Sequence, residues 1–88
     1  MTYVQAMNLL VEELGKAEAK FPGFPEDAIH AASIVGEEAG ELLKAALQYT
    51  YQNGSKTRMV EEAIQAGAMA IRFLMNIDNM RQIQSRQV

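Results

Sequence analysis

The stretch Gly36–Leu47, "GEEAGELLKAAL", sets Glu37, Glu38 and Glu41 into a run of alanine and leucine in which Lys44 is the only basic residue. Wound as a helix at about 100° per residue, it separates those acids. Glu38 falls in the middle of an apolar face with Ala31, Ile34, Leu42, Ala45 and Tyr49. Glu41 lies one turn on, toward that face's edge. Glu37 joins His30, Ser33, Lys44 and Gln48 on a polar strip, and Ile29, Leu43 and Leu47 occupy the opposite side. A helix that is apolar on two sides belongs to the interior of something.

The same pattern recurs downstream. Within "EEAIQAGAMAIRFL", Glu61–Leu74, Glu62 is centred among Ala66, Met69 and Phe73, with Arg58 and Gln65 at the flank. Glu61 shares a polar strip with Arg72 and Asn79, while Val60, Ile64, Ile71 and Leu74 line the far side. Each acidic doublet thus has one solvated member and one inward member.

Upstream, Tyr3, Met7, Leu10, Leu14 and Ala17 recur at helical steps with Val4 and Val11 beside them, which predicts an amphipathic helix over about 2–20. "FPGFP" then breaks the chain, since Pro22 and Pro25 exclude helix around themselves. Pro25 suits a first turn, and Glu26 and Asp27 suit a positive helix end, so the second helix is predicted over about 26–51. "QNGSKT" ends it, with Gly54 as a left-handed cap and Ser55 or Thr57 capping a third helix over about 57–80. The stretch Arg81–Arg86 reads as a fraying end or tail. With no strand alternation, the fold class is all-α: one domain over 1–88, a bundle of about three helices. One chain of this size has only the first helix to cover two doubly apolar ones. A homodimer or tetramer completing four-helix cores is therefore expected.

An unpaired buried carboxylate costs several kcal/mol, and two acids at an i, i+3 spacing also repel. A hard divalent cation such as Mg²⁺ offsets both through oxygen ligands. Two facing helices would bring Glu38, Glu41 and Glu62 around one point. Acidic clusters on helices are also commonly plain solvated faces, and E-x-x-E alone does not separate the two readings.

Other classes fare worse. Without cysteine there are no disulfides or thiolate metal sites, and a net charge of −3 from 11 acidic and 8 basic residues gives no nucleic-acid surface. No apolar run reaches membrane-spanning length and the N-terminus lacks a basic leader, so a cytoplasmic protein without a membrane partner is expected. A di-iron bundle needs Glu-x-x-His pairs; only Asp27-x-x-His30 comes near.

Glu38–Leu47 followed by Glu61–Leu74 resembles the all-α nucleoside triphosphate pyrophosphohydrolases, the MazG-like superfamily, over roughly 28–74. That family carries E-x-x-E on one helix and E-x-x-D on the next. Glu38 and Glu41 match the first pair and Glu62 the third acid, while Gln65 stands where the family has Asp. The resemblance implies hydrolysis of a ribo- or deoxyribonucleoside triphosphate to monophosphate and pyrophosphate, a house-cleaning activity. It implies Mg²⁺ (or Mn²⁺) held by Glu38, Glu41, Glu62 and Gln65, with the three glutamates catalytic, and an oligomeric assembly. Gln65 offers an amide oxygen but no charge. The alternative is a non-catalytic bundle acting as nucleotide sensor or assembly partner.

Four further residues are candidate substrate contacts. Lys56 and Arg58 stand near a helix N-terminus where anions are favoured. Tyr49, on the Glu38 face, can stack on a base. Asn76, on the Glu62 face, can read a base edge or ribose. Each also has a plainer role: polar loop, core packing or partial exposure. Lys44 is expected to pair with Glu41, and Phe21 and Phe24 to pack the loop onto the bundle.

Overall fold

The computed structural model describes residues 1–82. Its elements are α1 (Tyr3–Lys20), α2 (Ala28–Tyr51), α3 (Lys56–Met75) and a short 3₁₀ turn, Ile77–Asn79, and the described residues form no strand. The fold is all-helical, as expected.

Local chemistry sets the boundaries. Thr2 and Gln5 form a reciprocal capping box: the Thr2 hydroxyl accepts from the Gln5 amide at 3.1 Å, and the Thr2 amide donates to Gln5 Oε1 at 2.8 Å. α2 starts two residues later than expected. Asp27 is its N-cap, with Oδ1 accepting from the His30 amide at 2.9 Å, so Pro25 precedes the helix instead of opening it. Glu26 pairs with Arg81 at 2.9 Å.

The turn after α2 corrects a second expectation. Asn53, not Gly54, takes the left-handed conformation, with φ 57°. Gly54 is required for proximity. Its amide donates to the Gln48 carbonyl at 2.8 Å, and a Cβ there would meet the Gln48 carbonyl carbon at 2.9 Å. Ser55, not Thr57, caps α3 through the Arg58 amide.

α3 ends at Met75, short of the expected Met80. Asn76 closes it, its Nδ2 donating to the Arg72 carbonyl at 2.8 Å. Asn, Asp and Asn at 76, 78 and 79 are weak helix formers. The chain beyond is also claimed by a distant partner: the Arg81 amide donates to the Glu26 carbonyl at 3.0 Å. Of the predicted tail over 81–86, residues 83–86 lie outside the described residues.

α3 is the central element. It packs on α1 and on α2, while α1 and α2 do not pack on each other. Gly67 admits α1 closely, since a Cβ there would stand 2.5 Å from Leu10 Cδ2. Among the described residues the buried apolar ones are Ala31, Ala45 and Ala68, and no large side chain is fully buried. The molecule measures 56 × 28 × 23 Å with a radius of gyration of 15.7 Å. A compact chain of this length has a radius of about 12 Å.

The two faces of α2 separate as the helical phase predicts. Ala31 and Ala45 are buried and Ile34, Glu38 and Leu42 half-buried, whereas Ile29 is 79 % exposed and Leu43 and Leu47 are exposed. The α1 stripe is only partly used. Leu10, Leu14 and Ala17 turn inward, but Tyr3, Val4, Met7 and Val11 are exposed.

Candidate functional site

Because α1 and α2 flank α3 without meeting, a trough runs between them over α3. Its volume is about 540 Å³. α1 contributes Glu13, Lys16 and Lys20, α2 contributes His30, Ile34 and Glu38, and α3 contributes Gln65, Met69 and Arg72. The loop between α1 and α2 adds Phe21, Gly23, Phe24 and Pro25 to the lining.

Glu38 is the one predicted glutamate on this wall, half-buried as its phase requires. Its carboxyl is raised above the ordinary 4.5. Loss of hydration contributes most, followed by the like charges of Glu62, Glu41, Glu37 and Glu13. The acids therefore gather closely enough to repel.

Glu62 is buried, 6 % exposed, but not bare: its Oε1 lies 3.2 Å from Arg58 Nη2. Glu41 is exposed, and Lys44 makes no ion pair with it among the described residues. Gln65 lines the trough with an exposed side chain. Among the described residues no three His, Cys, Asp or Glu side chains gather as ion ligands. Carboxylates repel across several ångströms, but ligands must come within about 2.1 Å of Mg²⁺, so both observations hold together. The donors are all oxygen, which suits a hard cation.

The candidate substrate contacts scatter. Arg58 is engaged by Glu62, Asn76 is spent on capping α3, and Tyr49 and Lys56 are exposed outside the trough lining.

Arg72 is the residue the sequence hid. Expected on a solvated strip with Glu61, it is only 5 % exposed. Its Nη2 donates to the carbonyls of Phe21 and Gly23, and its guanidinium lies 5.0 Å from the Phe24 ring centroid. Helical phase cannot reveal this, because the cover is a loop about fifty residues away in the chain. Its neighbours Ile71, Phe73 and Leu74 were the available hint.

Compared with protein-family models, with curated proteins and with solved structures, the chain matches none.

Proposed function

We propose that the chain is a Mg²⁺-dependent nucleoside triphosphate pyrophosphohydrolase working as a homo-oligomer. The observation that carries this is Glu38: a half-buried carboxyl with a raised affinity for protons, coupled to Glu62 and Glu41, on the wall of a trough of about 540 Å³. That volume is within the usual range for small-molecule sites. Glu38, Glu41 and Glu62 would hold Mg²⁺, with the Gln65 amide oxygen in the fourth place. A bound Mg²⁺ supplies neutralisation of phosphate charge and a more acidic water. The chain would supply the proton acceptor from a Glu38 carboxylate oxygen left free of the ion. Phe21, Phe24 and Met69 supply apolar trough surface.

Self-association is supported by the open core. α2 presents Ile29, Ala32, Gly36, Gly40, Leu43 and Leu47 on one uncharged outer face. A Cβ at Gly36 or Gly40 would meet nothing within 4 Å among the described residues. The face continues into an apolar groove of about 380 Å³ lined by Ala32, Val35, Ala70, Phe73 and Leu74. Gly36 and Gly40 stand two residues either side of Glu38, and Ile29 and Leu47 nine either side. A two-fold axis there would set small residues at the crossing and large ones at both ends, the self-complementarity that a two-fold interface requires.

The Arg58–Glu62 pair, together with Gln65, favours the second reading: a bundle that binds nucleotide without hydrolysing it. A panel of ribo- and deoxyribonucleoside triphosphates with Mg²⁺ separates the two. Pyrophosphate release that Glu38→Gln abolishes supports the hydrolase. Calorimetric nucleotide binding with no release supports the non-catalytic bundle.

A further inference from the structure

The trough is electrically polarised along its length. α1 runs into the Phe21–Pro25 loop and α2 runs out of it, so Lys20 and His30 stand at the loop end, where Arg72 binds the loop carbonyls. Seven or eight residues along each helix come Glu13 from Lys20, Glu38 from His30 and Gln65 from Arg72, an axial step of about 10–12 Å. Among the side chains that line the trough, the cations Lys20 and Arg72 thus stand at the loop end and the carboxylates Glu13 and Glu38 at the other.

Arg72 makes the basic end more than a surface feature. It is 95 % buried from its 5 % exposure, and no carboxylate pairs with it among the described residues. Its Nε is sealed from solvent without a hydrogen-bond partner. Among the described residues this guanidinium is met by neutral carbonyls and the Phe24 ring but by no opposite charge, a costly state that an anion relieves. Lys20 adds a second cation with no carboxylate partner among the described residues, its Nζ 5.4 Å from the Phe21 ring centroid. Lys16 adds a third, lightly held by exposed Glu12 at 3.4 Å.

We propose that the loop end of the trough, built from Arg72 and Lys20 with Lys16 one turn further along α1, is a binding site for a di- or triphosphate. Clustered Arg and Lys match phosphate oxygens through charge-assisted hydrogen bonds. The site replaces Lys56 and Arg58 as the phosphate contact. It deepens the hydrolase reading, and rests on it for the claim that the phosphates belong to a nucleotide substrate.

Inorganic pyrophosphate, titrated into the full chain in EDTA, tests the site apart from any metal. Binding is expected to raise the melting temperature beyond matched NaCl. Lys20→Gln should weaken it about tenfold, the loss of one charge-assisted contact, while Lys56→Gln should leave it unchanged. Arg72→Lys should weaken it too. If that variant fails to fold, exposed Lys20 still decides the matter. Competition by a nucleoside triphosphate assigns the phosphates to a nucleotide, and binding without such competition assigns the site to pyrophosphate itself. Pyrophosphate acting no better than NaCl, a Lys20→Gln variant binding like the parent, or competition by an unphosphorylated nucleoside would overturn the site. Pyrophosphate binding without hydrolysis under Mg²⁺ would sink the hydrolase alone. Hydrolysis without pyrophosphate binding would sink the site alone.

Discussion

Arg58 Nη2 stands 3.2 Å from Glu62 Oε1, one helical turn apart at the start of α3. A cation in a helix's first turn opposes the macrodipole, and the order cation then acid is the weaker i, i+4 arrangement. The pair is better understood from Glu62, which is buried and needs compensation. Arg58→Gln should destabilise the metal-free chain by about 1 kcal/mol, a discount from fully buried pairs because Arg58 is half exposed. It should also increase the stabilisation given by millimolar Mg²⁺, since Glu62 loses its competing partner. Thermal melts with Mg²⁺ and with matched NaCl check both. An unchanged Mg²⁺ shift would detach Glu62 from the metal site.

The doublets provide internal controls. Within each, charge and helix propensity are equal, but Glu62 is buried and Glu38 half-buried while Glu37 and Glu61 are exposed. Glu38→Gln and Glu62→Gln should abolish Mg²⁺-dependent pyrophosphate release. Glu37→Gln and Glu61→Gln should hold it within about threefold, well under the loss of a transition-state contact. Gln65→Asp should tighten Mg²⁺ binding. Equal damage from Glu37→Gln would place the site in the wrong register.

Glu38 gives a pH signature. Its folded carboxyl is raised above 4.5, so the folded state holds the proton more tightly than the unfolded one. The stability this contributes is fully present below 4.5 and is lost as pH rises through the folded value. Denaturant titrations across that window should show the parent weakening relative to Glu38→Gln, which has no such slope. Mg²⁺ should diminish the difference by favouring the ionised form. Parallel profiles would mean that neither burial nor the neighbouring acids raise the Glu38 carboxyl.

Gly40→Leu tests the assembly with opposing signs. Leucine is a better helix former by about 0.8 kcal/mol, and none of the described residues outside the local helix backbone lies within 4 Å of the added Cβ. A lone chain should therefore gain stability. A two-fold pairing through α2 should instead lose its close approach and dissociate. Light scattering at micromolar concentration is expected to show a homo-oligomer for the parent and a smaller species for the variant. A well-folded parental monomer would refute the self-association.

Local physics made much of this protein legible in its sequence. Three helices follow from apolar periodicity and from proline and glycine breaks, and the burial of Glu38 and Glu62 beside exposed Glu37 and Glu61 follows from a 100° step. These properties depend on residues within a turn or two of each other. Only the tertiary structure decided the rest. Helical phase alone puts Arg72 on a solvated strip, whereas its cover, Phe21 to Phe24, arrives from far along the chain. α3 stops at Met75 partly because Arg81 is drawn to Glu26. The trough itself exists because α3 separates α1 from α2. A helix's own sequence fixes which side of it is apolar, but not which neighbour covers that side, because that choice depends on how the loops return the chain.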